Sequence, residues 1–255
     1  MITPRQHGRL DTTIRNNIAT ITFGHPASNS FPSELLERLT NELISVGKNP
    51  SIAVIILTSQ GEKAFCAGAS FDELVAISNF EEGTQFFLGF ANVINAMRTC
   101  GKLIIGRIQG KTVGGGVGLA AACDYVLATK NAEIKLSEFT IGIGPFVIEP
   151  AVKRKIGISG VAELTIDATG WKSSNWAKEK GLYAKVFETT KEMDDALESL
   201  SLKLASYNSK ALSEMKKILW EGTENWTDLL AERAAISGEL VVSEFTKKSL
   251  QKFKK

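Results

Sequence analysis

The chain has 255 residues and 44% hydrophobic content, enough for one large domain or for a main domain with a helical appendage. Its net charge of +2 gives no electrostatic case for nucleic acid as the main partner, and no apolar stretch is long enough to cross a bilayer. Three widely spaced cysteines and two histidines argue against a structural zinc site. The unpatterned cysteines, together with a polar N-terminus that lacks a secretory signal, predict a cytoplasmic protein.

The first predicted elements alternate between strand and helix. Residues 14–23 are rich in Ile and Thr and alternate in polarity, which predicts one strand. A loop follows over residues 24–30, and Ser33 is expected to be the N-cap of the next helix. Residues 52–58 form a continuous apolar run, typical of a strand buried on both faces. The expected buried face of the helix comprises Leu35, Leu36, Leu39, Leu43 and Ile44.

The middle of the chain continues this alternation. Residues 64–69 are small and predict a tight loop, and a helical region covers about residues 80–99. A second buried strand ends near Ile108, and a helix begins after the glycine run at residues 114–116. A further strand is expected over residues 125–128. Because strands and helices alternate, we expect an α/β fold with a parallel sheet and right-handed crossovers.

The last part of the chain has only helical patterns. One helix is expected from about Pro150, and three more over residues 193–207, 209–220 and 227–253. Their amphipathic faces should pack on the core or on another subunit. We therefore predict a core over residues 1–190 and a C-terminal helical region over residues 191–255.

The glycine run points to a site for negative charge. Gly114 to Gly116 follow an apolar strand and precede small, helix-compatible residues. The first N–H groups of a helix are unpaired, and without a Cβ a substrate oxygen can approach them closely. Such N–H groups stabilise a developing negative charge. A tight turn with close helix packing explains the run equally well. A dinucleotide site lacks an early βαβ unit, and a phosphate loop fails because Ile105 occupies the position that requires glycine.

Two loops are expected to open on the same side of the sheet. Residues 67–69 follow one buried strand and the glycine run follows the next, and ligands bind outside the carboxyl ends of neighbouring strands. One N–H group from each loop could therefore hold a single oxygen. Glu138 lies among apolar neighbours, where a carboxyl tends to have a raised pKa that suits a general acid or base. The alternative is an exposed or salt-bridged glutamate, the more common situation for this residue type.

Four blocks of the sequence follow one another in a distinctive order: residues 64–74, 110–124, 137–142 and 170–182. Together they resemble the enoyl-CoA hydratase/isomerase (crotonase) superfamily. The first is similar to its A-F-x-A-G-A-D-x-x-E-x pattern, and the second to its N-G-x-x-x-G-G-G-x-x-L-x-x-x-C-D pattern. The third is similar to x-E-x-x-x-G, and the fourth to T-G-x-x-x-x-A-x-x-x-G-L-V. The resemblance covers about residues 14–220.

The resemblance implies a crotonase-like spiral of ββα units with a C-terminal helical region that assembles trimers or dimers of trimers. It implies that Ala69 and Gly115 supply the N–H groups of an oxyanion hole for the enolate of a coenzyme A thioester, with Glu138 as the acid/base residue. The adenine and pantetheine end would lie near Ala27 and Ala67. Coenzyme A belongs to the acyl-CoA substrate, so no separate cofactor is expected. The composition, net charge and hydropathy given above already predict no metal, nucleic-acid or membrane partner. The expected substrate-binding positions are Ala27, Ala67, Gly68, Gly116, Gly118 and Pro145.

Departures from the pattern leave the reaction open. Many hydratases of the superfamily carry a second glutamate at the position of Gly118, and a single carboxylate favours double-bond isomerisation. The local sequence nevertheless resembles a hydratase subgroup that acts on methylglutaconyl-type thioesters and has the same glycine. Hydration of a 2-enoyl-CoA is therefore the first interpretation and delta-isomerisation the second, with a non-catalytic acyl-CoA-binding protein as the third. Ser70 replaces the usual aspartate, and residues 144–147 alter the acyl pocket.

Overall fold

The computed structural model describes residues 8–252, in which strands and helices alternate along the chain. The strands are β1 (Arg9–Arg15), β2 (Ile18–Gly24), β3 (Val54–Ser59), β4 (Ala64–Cys66), β5 (Leu103–Ile108), β6 (Lys111–Val113), β7 (Tyr125–Thr129), β8 (Ile134–Lys135) and β9 (Lys185–Phe187). The helices are α1 (Ser33–Lys48), α2 (Phe71–Ala76), α3 (Phe80–Thr99), α4 (Gly115–Ala122), α5 (Glu149–Ile166), α6 (Ser174–Glu179), α7 (Thr190–Ala205), α8 (Ser209–Leu219), α9 (Trp226–Val241) and α10 (Glu244–Gln251). A 3-10 helix lies at Glu138–Ile141.

Two sheets organise the core. In the larger sheet the strand order is β1-β2-β3-β5-β7-β9, and every neighbouring pair is parallel except β1 and β2. The smaller sheet has the order β4-β6-β8 and is parallel throughout. Strand β3 is buried along its whole length, which confirms the prediction from its continuous apolar run. The expected parallel sheet is therefore present, and a small second sheet accompanies it.

The single strand predicted over residues 14–23 is wrong, because the chain reverses within it. Strands β1 and β2 form an antiparallel hairpin, and Asn16 and Asn17 between them have φ values of 51° and 63°. A two-residue hairpin turn of type I′ requires positive φ at both central residues, and asparagine tolerates that conformation. The asparagine pair was thus the sequence signal for this turn.

Helix α1 differs from the prediction in two details, its N-cap and its buried face. Pro32 takes the N-cap position, and Ser33 is the first helical residue. The N–H and the hydroxyl of Ser33 donate instead to the Glu73 carboxylate at 2.9 and 2.6 Å, which ties α1 to α2. Ile44 is 40% exposed and does not belong to the buried face. The buried residues of the helix are Leu35, Leu36, Leu39, Leu43 and Val46.

The C-terminal region is helical from Thr190 onward, as predicted, but its final helix is divided in two. After α9 the chain begins α10 at Glu244, and the N-cap residue is Ser243, whose hydroxyl accepts the N–H of Thr246 at 3.3 Å. A serine that caps a new helix in this way fixes a change of direction. Residue 253, the end of the predicted helix, lies outside the described residues.

The last two helices pack on the core of their own chain. On α3 and α9, Gly83 and Gly238 allow close approach, since a Cβ on Gly83 would lie only 3.0 Å from the Gly238 Cα. Helix α10 covers the 3-10 helix, where a Cβ on Gly142 would meet the Phe245 ring at 2.5 Å. No helix within residues 8–252 has the length and apolar character needed to span a bilayer.

A buried charge network fastens α8 to the core. The Lys216 ammonium lies 3.0 and 2.8 Å from the two Asp124 oxygens, and these side chains are 2% and 3% exposed. The indole N–H of Trp220 and the backbone N–H of Ile104 also donate to this carboxylate, each at 2.7 Å. Hydrogen bonds from several donors compensate the cost of burying the pair. Because Asp124 closely follows α4, the network also holds the helix whose N-terminus faces the candidate site.

Candidate active site

The candidate site lies where the three strands of the small sheet end. Strand β4 leads into residues 67–69, β6 leads into the glycine run, and β8 leads to Glu138. Since the carboxyl ends of parallel strands share one edge, these segments meet there. The loops were expected to follow the buried strands of a single sheet. That detail is corrected, because both leave the small sheet, and residues 64–66 form strand β4 rather than part of a loop.

The first turn exposes one backbone donor. Phe31 pairs with this turn: its N–H donates to the Gly68 carbonyl at 2.8 Å, and its own carbonyl accepts the N–H of Ser70 at 2.9 Å. Gly68 has a φ of 90°, a conformation that side chains with a Cβ rarely adopt. Between these bonds lies Ala69, whose N–H donates to no acceptor among residues 8–252. This N–H is therefore available to a ligand.

The second turn exposes another donor beside the first. Gly114 has a φ of 53°, and its N–H donates to the Lys135 carbonyl at 3.0 Å. Gly115 begins helix α4, and its N–H likewise has no acceptor within the described part of the chain. A Cβ placed on Gly68 would lie 3.4 Å from the nitrogen of Gly115, so the two turns are in direct contact. Two N–H groups from separate turns can thus reach the same small region.

Glu138 borders the same region. A Cβ on Gly114 would lie 2.9 Å from the Glu138 Oε1, so the glycine makes room for the carboxyl. The Oε2 atom is inaccessible to solvent and has no hydrogen-bond partner in residues 8–252. Burial raises the pKa of Glu138 to about 7, against a weaker lowering by a backbone hydrogen bond. The alternative of an exposed or salt-bridged glutamate is therefore wrong, and a carboxyl with this pKa can both take and give a proton near neutral pH.

A cavity of about 440 Å³ joins these groups. Its walls include several phenylalanine, isoleucine and valine side chains, so an apolar group would fit against them. The sequence-predicted site residues that line it are Ala27, Ala67, Gly68, Ala69, Gly115, Glu138 and Pro145.

Gly116 and Gly118, which the sequence predicts to bind substrate, do not line the cavity and pack within the protein. A Cβ on Gly116 would lie 2.6 Å from the Cys66 Cβ, and one on Gly118 would lie 2.4 Å from an Ile148 methyl. Both glycines are buried and allow α4 to pack closely. Position 118 therefore has no room for a glutamate side chain.

Sequence reasoning missed several residues of the cavity wall. Lys135 and Thr140 flank Glu138 in the chain, and Asp72 follows the first turn, so proximity in the sequence was a usable signal. Ser237 comes from helix α9, about a hundred residues away, and nothing local marks it. Among residues 8–252 no cluster of three or more His, Cys, Asp or Glu side chains is arranged to hold a metal ion.

Comparisons with known proteins support the family resemblance seen in the sequence. A sequence model of the enoyl-CoA hydratase/isomerase family matches residues 13–255. A short-chain-enoyl-CoA hydratase from Clostridium acetobutylicum is 28% identical over 92% of this chain and 90% of that protein. A peroxisomal Delta(3,5)-Delta(2,4)-dienoyl-CoA isomerase from Arabidopsis thaliana is 28% identical over 71% of this chain and 69% of that protein. The crystal structure of an enoyl-CoA hydratase from Bacillus halodurans has the same fold, with a TM-score of 0.89, 22% identity and coverage of 95% and 99%.

Proposed function

We propose that this chain, which belongs to the enoyl-CoA hydratase/isomerase family, adds water to the double bond of a 2-enoyl-CoA thioester. One observation carries the proposal. Two N–H groups that have no acceptor in the described part of the chain, those of Ala69 and Gly115, lie in adjoining turns next to the buried carboxyl of Glu138. That arrangement suits a reaction in which negative charge develops on one oxygen while a proton moves nearby.

The N–H groups of Ala69 and Gly115 would bind the thioester carbonyl oxygen. When a nucleophile adds to C3 of a 2-enoyl thioester, the electron pair of the double bond moves toward the carbonyl and forms an enolate. Two fixed donors, one at the N-terminus of α4, stabilise that oxygen more in the transition state than in the substrate. Loss of one such donor typically lowers the rate by about 10²–10³.

Glu138 would transfer the proton in both halves of the reaction. As a carboxylate it takes a proton from water while the water oxygen bonds to C3. The enolate then receives that proton from Glu138 at C2, and the carboxylate is restored. Because the proton lost by water is the one gained at C2, one carboxyl is sufficient for addition of both groups on the same face. A pKa of about 7 keeps both protonation states of Glu138 populated near neutral pH.

The coenzyme A part of the substrate would enter along Ala27 and Ala67. These residues belong to neighbouring loops, since the N–H of Ala67 donates to the carbonyl of Ser28 at 3.1 Å. Both line the cavity, as do Gly68 and Pro145. Coenzyme A thus arrives with the substrate, and the proposed reaction needs no resident cofactor.

Double-bond isomerisation is the second candidate, favoured by the absence of a glutamate at position 118. In that reaction Glu138 removes a proton from C2 of a 3-enoyl thioester and returns it to C4, through the same enolate. The proteins similar to this chain carry both activities in their names, so the comparisons favour neither. What separates the reactions is whether water or C4 lies beside Glu138.

The two reactions can be separated by incubating the protein with 2-enoyl and 3-enoyl thioesters in ¹⁸O-labelled water. Incorporation of the label at C3 of a 2-enoyl thioester supports the hydratase. Migration of a 3-enoyl double bond without label supports the isomerase. Acyl-CoA binding by calorimetry without either reaction would instead support a non-catalytic acyl-CoA-binding protein.

We further propose that the protein is a cytoplasmic homotrimer or dimer of trimers. Several large apolar side chains of the C-terminal helical region remain open to solvent in the single chain, and burial in a subunit interface would remove them from water. The three cysteines are unpaired, as expected in a reducing compartment. A mass measurement in solution tests the trimeric multiple. The exposed residues are Leu202, Tyr207, Met215, Ile218, Leu219, Ile236 and Phe245.

A further inference from the structure

The segment that carries Glu138 has little stability of its own. It is a single 3-10 turn over Glu138–Ile141, and 3-10 turns have poorer hydrogen-bond geometry than an α-helix. One side of the turn faces solvent, since Phe139 is 49% exposed. Most of the stability of a short helix in a protein comes from packing against its neighbours. The position of the Glu138 carboxyl therefore depends on the element that holds this turn.

Gly142 ends the turn and is linked to the backbone of Glu138. Its φ of 87° lies in the left-handed region, and its N–H donates to the Glu138 carbonyl. The N–H of Ile143 donates to the same carbonyl at 3.2 Å. Two consecutive residues thus fix the Glu138 backbone, so a displacement of Gly142 would move the carboxyl as well.

Helix α10 lies directly on Gly142. A Cβ placed on this glycine would lie 2.5 Å from the Thr246 Oγ1 and 2.5 Å from the Phe245 ring, so α10 fills the space beside it. Thr246 is fully buried, whereas Phe245 is 65% exposed. The Thr246 hydroxyl accepts a hydrogen bond from the Ser243 hydroxyl at 3.1 Å, and the Ser243 oxygen accepts the Thr246 N–H. The N-cap of α10 therefore fixes the buried side chain that supports the turn.

Helix α10 also contacts the segment that follows Ala69. Helix α2 begins two residues after this proposed oxyanion-hole donor, and α10 packs on α2 as well as on the 3-10 helix. Leu250, near the end of α10, is only 3% exposed, so the helix is anchored at both ends. One helix thus connects the turn that supplies a donor with the turn that supplies the carboxyl.

We propose that Thr246 is a positioning residue, which holds Glu138 beside the oxyanion-hole turns by its contact with Gly142. Thr246 does not line the cavity, so it acts through the turn and not on the substrate. Its role is steric: a side chain of the same shape keeps Gly142 in place, whereas alanine leaves space into which the turn can move. The inference rests on the proposed function, because it takes Glu138 as the acid/base residue.

The state of the Glu138 carboxyl reports the position of the turn. Its raised pKa results mainly from burial, and the titratable side chains around it are not among the causes. Those that line the same cavity are His25, Asp72 and Lys135. Those of α10 are all exposed and comprise Glu244, Lys247 and Lys248. If the turn moves away and water reaches the carboxyl, its pKa should fall toward 4.5.

Hydrogen exchange and the pH dependence of stability test the proposal without a substrate. In Thr246→Ala, mass spectrometry should show amide exchange over residues 138–143 at least about tenfold faster than in the wild type. The pH-dependent difference in unfolding free energy between Glu138→Gln and its parent should also be smaller in the Thr246→Ala background. If the chain hydrates thioesters, the acid limb of kcat/KM should move by roughly one unit toward lower pH.

Two variants serve as controls. Thr246→Val keeps the shape of the side chain, so both readouts should remain those of the wild type. Thr165→Ala removes a hydroxyl from another buried helical threonine, which donates to the Val161 carbonyl at 2.8 Å, and should leave residues 138–143 unchanged. If Thr246→Ala does not fold, Ser243→Ala removes the hydroxyl that donates to Thr246 and should change both readouts in the same direction.

Unchanged exchange over residues 138–143, together with an unchanged pH dependence in folded Thr246→Ala, would overturn the proposal. Equal changes in Thr246→Val and Thr246→Ala would also overturn it, because the role would then not be steric. A wild-type protein that transforms no enoyl thioester would contradict the proposed function, and the two substrate-free readouts do not depend on that result. The two claims therefore fail in different ways.

Discussion

Replacement of Glu138 by glutamine should change how stability and activity depend on pH. Glutamine keeps the shape of the side chain and removes the titrating proton. The wild-type carboxyl has an Oε2 atom buried without a hydrogen-bond partner in the described residues, and its pKa is raised from 4.5 to about 7. The folded protein therefore binds a proton more tightly at this site than the unfolded chain does.

The sign and size of the stability effect follow from these two values. Between pH 4.5 and about 7, the folded state holds more protons than the unfolded state, so the free energy of unfolding falls as pH rises. The contribution is complete below pH 4.5 and is lost as pH rises through about 7. A shift of this size corresponds to about 3 kcal/mol, at roughly 1.4 kcal/mol for each pKa unit. The free energy of unfolding of Glu138→Gln, relative to that of the wild type, should therefore rise by up to this amount from pH 4.5 to about pH 8.

Urea unfolding at a series of pH values, at fixed subunit concentration, measures this difference. Glu179→Gln, on an exposed carboxylate, is the matched control for loss of one negative charge. In parallel, wild-type kcat/KM should fall about tenfold per pH unit below pH 7, because the base must be ionised. Glu138→Gln should lose about 10²–10⁴ in kcat above pH 7, where the wild-type base is ionised, and the difference should narrow toward acid pH. A difference in stability that does not vary with pH would refute a buried, titrating Glu138.

Three further predictions follow from glycines and from the buried ion pair. Gly118→Ala should lower the free energy of unfolding by about 1–3 kcal/mol, because the added Cβ would meet Ile148. The loss should be smaller in an Ile148→Ala background, and urea unfolding of the wild type, the two single variants and the double variant measures this. Lys216→Met should lower the free energy of unfolding by about 3–5 kcal/mol, because it leaves Asp124 buried without its cation. Adding Asp124→Asn should recover part of that loss. An unchanged denaturation midpoint in Lys216→Met would contradict the prediction. Gly68→Ala should lower kcat/KM about 10²-fold, because its φ of 90° strains a Cβ-bearing residue beside an oxyanion-hole donor; unaltered kinetics would argue against that turn.

Long elements of the fold could be predicted because their patterns extend over many residues. Helix α3 and strand β3 show this, the latter through its unbroken apolar run. The small sheet could not, since its strands have only two or three residues and show no periodicity. The division of the last helix depended on Ser243, a capping residue inside a pattern that continues on both sides.

The candidate site divides in the same way. Its central residues Ala69, Gly115 and Glu138 follow from local chemistry and from motif resemblance, and the structure brings them together. The packing roles of Gly116 and Gly118 could not be predicted, because the atoms they accommodate belong to other segments. The contact between Lys135 and Trp171 likewise joins residues 36 positions apart, and no local pattern indicates it.

A crystal structure with a bound, unreactive acyl-CoA would test the central claim most directly. We predict that the thioester oxygen lies about 2.7–3.1 Å from the nitrogens of both Ala69 and Gly115, with the Glu138 carboxyl next to C2. A thioester oxygen that contacts neither nitrogen, or a Glu138 side chain directed into bulk water, would contradict it.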